Sequence, residues 1–183
     1  MDWYSIVKFY HVICALLWVG GGFALMLLAL RAERANNIEG MLQSMRATGE
    51  LGNRFFAPMS MLTLAFGLIM CGFWVGFSDL WIVIGLVGYA TTFSIGMLVF
   101  KPTGERMGAM IAAEGVTPAV LAVGQRMMGW ARLDYVVMLV IVADMVLKPT
   151  LRDVGILAGM ALVVAAGAAL AFGGSRRMLP SVA

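Results

Sequence analysis

The sequence carries little charge. Only 13% of its 183 residues are Asp, Glu, Lys or Arg, while 62% are hydrophobic. A soluble domain has about 25% charged and about 45–50% apolar residues. Too few polar side chains remain to cover a globule of this size in water, so we expect an integral membrane protein. The same shortage excludes a disordered chain, and a net charge of only +3 excludes an ordinary nucleic-acid-binding protein.

Cysteine and histidine are also scarce, and the familiar catalytic motifs are missing. The two cysteines, Cys14 and Cys71, lie inside apolar runs, where a buried thiol is usually structural. Two cysteines are too few for a disulfide-rich secreted domain. The sequence holds no P-loop, dinucleotide-binding fingerprint, zinc motif or nucleophile–base pair. Any chemistry therefore rests on the few polar residues within the apolar segments.

Five segments are long and apolar enough to cross a bilayer, which takes about 20 residues. They cover residues 3–30, 55–77, 80–100, 130–147 and 154–172. We expect one all-α membrane domain over residues 1–183, a bundle of five transmembrane helices whose first helix is too long for a cleaved signal peptide. Two stripes of small residues predict close helix packing, within the chain or between two copies. They are Gly88-Thr92-Gly96 and Gly155-x-x-x-Gly159.

The basic residues are distributed unequally between the two sides of these spans. Ten of the 13 lie on one side, namely Arg31, Arg34, Arg46, Arg54, Lys101, Arg106, Arg126, Arg132, Arg176 and Arg177. The other side holds Lys8, Lys148 and Arg152. Because Lys and Arg accumulate in cytoplasmic loops, we expect the N-terminus outside and the C-terminus in the cytoplasm.

Capping and helix-breaking residues predict where the helices begin and end. Asn36-Asn37 interrupts the first connection. A tight turn is expected between the second and third spans, with Asp79 as the N-cap of the third. Thr117-Pro118 is typical of an N-cap followed by a first-turn proline. From there about 30 residues, or about 45 Å of helix, run to Lys148-Pro149. We therefore expect helical extensions on the cytoplasmic side rather than slack loops.

A polar stripe runs along the outer half of the first span. It consists of Lys8, His11, Ala15, Trp18 and Gly22, spaced three or four residues apart on one helix face. His11, the single histidine of the chain, lies roughly 12 Å along the helix from Trp3. Ionisable residues at this depth are expected to face the bundle interior and to have partners. Asp144, one turn before the end of the fourth span, is the partner expected at the same level.

This group of ionisable residues has several interpretations. Lys8, His11 and Asp144 would form a purely structural polar clasp, or a proton relay. Asp144 would alternatively pair with Lys148 four residues later, since Lys148 can extend to the interface. An ionisable residue inside the membrane suggests a function by default. The structural and the functional interpretations of this group therefore both stay open.

His11 also suits two kinds of metal site. It would serve as an axial ligand of haem iron, with methionine, lysine or the His11 of a second subunit on the other face. With Cys14 three residues later, and Met70 and Cys71 in the second span, it would instead suit copper(I). Most of the 16 methionines are scattered along the spans, which favours a packing role for them over a copper site.

A second polar cluster is expected at the cytoplasmic side. Glu50 and Arg54 stand four residues apart before the second span, and Arg132 and Asp134 stand at the start of the fourth. Ion pairs between the helical extensions are the structural interpretation. The functional one is a carboxylate, such as a haem propionate, held by Arg54 and Arg132, because the guanidinium fork suits carboxylates.

Residues of three spans together resemble a family of small bacterial integral membrane proteins, a domain of unknown function. They are Lys8, His11, Trp18, Gly20, Gly21 and Arg31 in the first span, Arg54, Phe56, Pro58 and Gly67 in the second, and Arg132, Asp134, Asp144, Met145, Lys148 and Pro149 in the fourth. The resemblance extends through Pro149 and implies a multi-pass protein of the bacterial cytoplasmic membrane. It implies no activity.

The chain is more distantly similar to the four-helix membrane protoporphyrinogen oxidase and to the copper-resistance D membrane domain. In the oxidase family the histidine of the first helix is regarded as a haem b ligand, a role that would fall on His11. Three features depart from the oxidase pattern. Ala29-Leu30-Arg31 stands in place of Leu-Pro-Arg, Asp134 stands in place of an Asn-Glu pair, and the fifth span is extra. These departures count against the oxidase activity more than against a haem site.

Our leading hypothesis is therefore a haem-b-binding membrane protein with a redox or haem-handling role. His11 would be an axial ligand, Trp18 with Gly20 to Gly22 would shape the pocket, and Asp144 with Lys8 would tune its electrostatics. One alternative is a small transporter or proton-handling protein that uses Lys8, His11 and Asp144. Another is an accessory subunit that packs on a larger membrane complex, or as a homodimer, through its glycine stripes.

Overall fold

The computed structural model describes residues 2–173, and these residues are built from helices and short connections alone. Five continuous helices follow one another, namely α1 (Trp3–Arg34), α2 (Ile38–Val75), α3 (Leu80–Glu114), α4 (Pro118–Leu147) and α5 (Val154–Gly173). The all-α fold is thus confirmed. Arg176 and Arg177, which entered the charge count of the predicted cytoplasmic side, lie outside the described residues.

Capping residues end these helices where the sequence predicts. Asn36 adopts a left-handed backbone with φ of 50° after α1, and the side chain of Asn37 accepts the backbone N–H of Gly40 at 2.9 Å to start α2. Thr117 caps α4 by accepting the N–H of Val120 at 3.4 Å. Lys148, with φ of 47°, ends α4, and the proline that follows it cannot continue a helix.

The predicted helical extensions are present. α2 begins at Ile38 rather than at the apolar segment near residue 55, and α3 continues past Phe100 to Glu114. α4 has 30 residues, and such a helix is about 45 Å long. Connections of a few residues therefore join helices of which the first four are longer than the hydrocarbon core requires.

Two prolines lie inside α2 and α3, and each follows a wide π-helical turn. Pro58 comes after the turn Gly52–Phe56, and Pro102 after the turn Gly96–Phe100. A proline ring clashes with the carbonyl four residues earlier, and proline has no N–H to donate. The extra residue in a π-helical turn changes the position of that carbonyl, so the helix continues past the proline.

Four of the five helices, α1, α2, α3 and α5, are long and apolar enough to cross a membrane. α4 is comparably long, but it is not among these four helices because it carries four charged residues. The charged residues of α4 are Arg126, Arg132, Asp134 and Asp144. Length and composition therefore support four of the five predicted spans directly.

The helices fall into two compact units, the first ending at Tyr89 and the second beginning at Ala90, within α3. In the first unit α1 and α2 form a long antiparallel hairpin whose register is set by three contacts. These are the ring pairs Tyr4–Trp74 at 5.7 Å and Tyr10–Phe66 at 5.5 Å, and Gly21 against Phe56. The amphipathic start of α2 covers the end of α1 with a buried apolar face, made of Met41, Leu42 and Met45.

In the second unit α4 and α5 pack through glycines that the sequence pattern did not single out. A Cβ on Gly129 would lie 3.0 Å from the backbone oxygen of Ala171, and one on Gly167 would lie 2.8 Å from the Val136 methyl carbons. By contrast, a Cβ on Gly155 or Gly159 would have no described atom within 4 Å. The predicted Gly155–Gly159 stripe is therefore not the packing face of α5 among the described residues.

Candidate functional site

His11 lies against the backbone of the neighbouring helix in the first unit. Its ring Nδ1 is 2.8 Å from the carbonyl oxygen of Thr63 in α2. A carbonyl oxygen can only accept, so Nδ1 carries the proton and donates it. In the neutral ring Nε2 then keeps a lone pair. The hairpin thus fixes both the tautomer and the orientation of the one histidine.

Gly67 makes room for this ring. A Cβ at position 67 would lie 3.2 Å from Cε1 and 3.4 Å from Nδ1 of His11, closer than most side-chain contacts. The Thr63 hydroxyl donates to the carbonyl of Met59 at 2.8 Å. The face of α2 that meets His11 is therefore formed by one backbone carbonyl and one glycine, one turn apart.

Lys8 does not face the bundle interior as the sequence predicts. The sequence places it on the His11 stripe facing the interior, but its side chain is exposed, and Nζ lies 5.9 Å from the centroid of the Tyr4 ring. A lysine stem is long enough to lie along the helix while its ammonium moves towards the interface. Tyr4 is one turn closer to the start of α1, so the charge is directed towards that end.

Trp18 and Gly21 pack against neighbouring helices. The indole of Trp18 meets the ring of Tyr89 edge-on, with centroids 5.7 Å apart. A Cβ on Gly21 would lie 3.1 Å from the Phe56 ring, whereas one on Gly20 would meet no described atom within 4 Å. Packing contacts are thus observed for Trp18 and Gly21, and their role in shaping a pocket stays a prediction.

Asp144 in α4 is completely buried, with 0% of its surface exposed. Neither of its side-chain oxygens has a hydrogen-bond partner among the described residues. Its backbone carbonyl accepts the N–H of Lys148 at 2.8 Å, so the observed link between these two residues is through the backbone. Because Asp144 belongs to the second unit, and Lys8 and His11 to the first, their predicted cluster stays a prediction.

The two arginines proposed to hold a carboxylate also lie in different units. Arg54 and Glu50 are exposed on α2, while Arg132 on α4 is half-buried. Asp134, two residues after Arg132, is buried, and its Oδ1 has no hydrogen-bond partner among the described residues. Joint binding of a carboxylate by Arg54 and Arg132 therefore stays a prediction.

The register of α1 and α2 separates the two thiols. Cys14 is one turn beyond His11 along α1, and Cys71 is one turn beyond Gly67 in the opposite axial direction along α2. At 1.5 Å per residue they are about 12 Å apart along the hairpin. Within residues 2–173 no group of three or more His, Cys, Asp or Glu side chains is placed to hold a metal ion. This arrangement does not suit one copper ion bound by both thiols.

Sequence patterns missed three residues that touch the predicted site. Thr63 contributes only a backbone carbonyl, which no side-chain pattern can reveal. Tyr89, the partner of Trp18, lies in a helix without a strongly polar face. Only the family resemblance pointed to Gly67. Thr63 and Gly67, four residues apart on an apolar helix, nevertheless form the small-residue pattern that admits a neighbouring helix.

Comparison with known protein families shows what the chain is similar to. The family described as Predicted integral membrane protein (DUF2269) matches residues 5–149. No curated protein and no solved structure matches the chain, so the more distant similarity to the protoporphyrinogen oxidase and to the copper-resistance D domain has no support. The match runs from the start of α1 through Pro149 and includes His11, Gly67 and Asp144.

Proposed function

Since the chain belongs to the DUF2269 family of predicted integral membrane proteins, we propose that it works inside the bilayer as a haem-b-binding protein with a redox or haem-handling role. His11 is the proposed axial ligand. One observation carries this proposal, the 2.8 Å hydrogen bond from Nδ1 to the carbonyl of Thr63.

This hydrogen bond holds the imidazole in the tautomer and orientation that a metal ligand requires. Metal-binding histidines almost always donate their other ring N–H to a carbonyl, a carboxylate or water, which fixes the tautomer and raises the basicity of the ligating nitrogen. Here the acceptor is the Thr63 carbonyl. Nε2, which keeps its lone pair, is the atom that would bind the iron. Gly67 supports the same geometry because any larger residue would press on the ring.

The other predicted site residues have supporting parts in the proposal. Trp18, with Gly20 to Gly22, would limit the space beside the ligand, and Arg54 and Arg132 would hold the propionates. Lys8 and Asp144 would adjust the local field. When bound, haem supplies a one-electron iron couple whose potential depends on axial ligands, hydrogen bonding and burial. The protein contributes the fixed imidazole and the apolar surroundings.

The test is an absorption spectrum of the protein in mild detergent, oxidised and then reduced with dithionite. We expect a Soret band that shifts on reduction and that is lost in His11→Ala and in His11→Gln. His11→Gln is the informative control, because its amide N–H can still donate to Thr63 while it offers no imidazole to iron.

Two results would overturn the haem proposal. One is a folded wild-type protein that stays colourless after haem reconstitution. The other is an unchanged Soret band in His11→Ala. If the protein is colourless and only His11→Ala, not His11→Gln, unfolds more easily, His11 is a structural clasp between α1 and α2.

A second function is favoured by Asp144. A carboxylate that is fully buried and has no hydrogen-bond partner among the described residues is costly to keep ionised in an apolar medium. Buried carboxyls of this kind serve proton relays in membrane pumps and transporters. We therefore propose proton handling at Asp144 as the alternative to haem binding.

Proton uptake into proteoliposomes, followed with an internal pH dye, tests this alternative. Asp144→Asn should abolish uptake and leave the protein folded, whereas Asp153→Asn, in the exposed connection before α5, should not. Equal uptake by wild type and Asp144→Asn would exclude a relay through this carboxyl.

We further propose that α4 crosses the membrane as the fifth span, with the N-terminus outside and the C-terminus in the cytoplasm of a bacterium. Two of its charged residues, Asp134 and Asp144, are 5% and 0% exposed, so the protein shields them from lipid. The unequal distribution of basic residues supports the orientation. The glycine stripes are the proposed contact surface of a homodimer or of a larger membrane complex.

A further inference from the structure

The end of α1 combines apolar and basic residues on one face. From Trp3 to Leu30 the helix carries a single charge, Lys8, and two arginines follow it at once. The residues of this face line an open hollow of about 490 Å³, and they are Leu27, Leu30, Arg31, Arg34 and Ala35. They are spaced as i, i+3, i+4, i+7 and i+8, which places them together on one side of the helix.

The side chains of the two arginines are not needed to cap the C-terminal end of α1. The last turn of α1 is closed by backbone bonds, from Ala35 N to the Arg31 carbonyl at 3.1 Å and from Asn37 N to the Ala32 carbonyl at 2.9 Å. Arg31 and Arg34 are exposed. Both guanidinium groups are therefore accessible to a ligand at the surface of the helix.

The depth of these arginines matches a lipid headgroup. Trp3 is 67% exposed and Tyr4 packs against Trp74 at the start of the hairpin, an arrangement typical of the aromatic belt at one membrane surface. Arg31 is 28 residues further on, or about 42 Å along the helix. A bilayer with its headgroup regions is about 40–45 Å thick. Arg31 therefore lies at the level of the phosphates of the opposite leaflet.

We propose that this face binds one anionic phospholipid. Arg31 and Arg34 would hold the phosphate, since the guanidinium fork matches phosphate oxygens in a bidentate way. Leu27, which is 50% exposed, and Leu30 would lie against the glycerol and the first methylene groups. Helical side chains lean towards the helix N-terminus, so both guanidinium groups lean back over these leucines. A free phosphate ion would bind the same two arginines, but its binding would not depend on Leu27 and Leu30.

Native mass spectrometry of the full chain in detergent, titrated with dioleoylphosphatidylglycerol or with dioleoylphosphatidylcholine, tests this proposal. We expect one tightly bound phosphatidylglycerol and weaker binding of phosphatidylcholine. The double variant Arg31→Gln/Arg34→Gln should bind phosphatidylglycerol at least about tenfold more weakly. The control Arg46→Gln/Arg106→Gln removes the same charge from two other exposed positions and should bind as wild type.

Three outcomes would overturn the proposal. Equal affinity for the two lipids would remove the role of the headgroup charge. Equal weakening in both double variants would show a general surface-charge effect without a site. Complete competition by inorganic phosphate, together with an unchanged affinity in Leu27→Ser, would indicate a free-anion site instead. Both double variants change exposed side chains, and circular dichroism of each protein confirms that it is folded.

Discussion

His11 is held in one tautomer by the backbone of α2, whatever it binds. Because the acceptor is the carbonyl of Thr63, no substitution of the Thr63 side chain removes it directly. The neighbour that controls the ring position is Gly67, one turn further along the same helix. The geometry of the site therefore depends on the absence of a side chain.

Gly67→Ala should be less stable than its matched control Gly72→Ala by about 1 kcal/mol. Both changes gain helix propensity of about 1 kcal/mol, but the new methyl at 67 meets Cε1 of His11 at 3.2 Å, whereas a Cβ at 72 meets no described atom within 4 Å. Unfolding by SDS titration in mixed micelles measures the difference. Equal midpoints for the two variants would show that the His11 ring shifts without cost.

Asp153 provides a pH-dependent contact outside the spans. Its carboxylate accepts the backbone N–H of Thr150 at 2.8 Å and the Thr150 hydroxyl at 2.7 Å, and these bonds lower the pKa of Asp153 below its usual value. A lowered pKa stabilises the fold at pH values above the ordinary Asp pKa of about 3.9, and this contribution is lost as the pH falls through the folded-state pKa.

We therefore expect wild type to lose thermal stability more steeply than Asp153→Asn as the pH is lowered from about 6 to about 2. Both hydrogen bonds of Asp153 lie at the protein surface, where water screens them, so the effect is small. Melting temperatures in a non-ionic detergent measure it, and Asp79→Asn, in the connection between α2 and α3, is the control. Parallel pH profiles for wild type and Asp153→Asn would contradict this account of the connection.

At the level of helices, close approach is decided by single glycines rather than by repeated motifs. α4 and α5 meet where Gly129 faces the Ala171 carbonyl and Gly167 faces Val136. The contact is reinforced by the edge-on pair Trp130–Phe172, whose centroids are 5.2 Å apart. The Gly-x-x-x-Gly pair at the start of α5 takes no part in this contact.

Gly167→Ala should destabilise the second unit by about 1–3 kcal/mol, while Gly159→Ala on the same helix should be neutral or slightly stabilising. The methyl at 167 would lie 2.8 Å from both Val136 methyl carbons and 3.0 Å from its Cβ, and a β-branched side chain has little freedom to move away. The free energy of unfolding in mixed micelles is again the measurement. A Gly167→Ala protein as stable as Gly159→Ala would mean that α5 moves readily away from α4.

For the whole molecule, the position of α4 relative to the bilayer has the largest consequence. If α4 spans the bilayer, the connection at Gly115 and the connection at Thr150 lie on opposite sides. If it does not, they lie on the same side. The positions of the basic residues predict that Thr150 faces out and Gly115 faces the cytoplasm.

Cysteine labelling with an impermeant maleimide on intact cells separates these cases. With Cys14 and Cys71 replaced by serine, Asp79→Cys and Thr150→Cys should be labelled from outside. Asn37→Cys and Gly115→Cys should react only after permeabilisation. Labelling of Gly115→Cys and Thr150→Cys under the same condition would reduce the spans to the four supported by length and composition.

The sequence by itself determined the membrane class, the all-α fold and most helix ends. These follow from composition and from local chemistry, such as Asn37 and Thr117 as caps or proline after Lys148, and local effects are visible in a few consecutive residues. The length of α4 and the helical extensions followed for the same reason. Membership in a membrane family was also readable from residues spread over three spans.

Only the tertiary structure decided which polar groups find partners. The bond from His11 to the Thr63 carbonyl joins residues 52 apart through a backbone atom, and the glycines that pack, Gly67 and Gly167, look the same in sequence as Gly159, which meets no described atom. The exposure of Lys8 and the burial of Asp144 depend likewise on how each helix is rotated. Helix rotation is set by the sum of many weak contacts between distant residues, and no local pattern contains that sum.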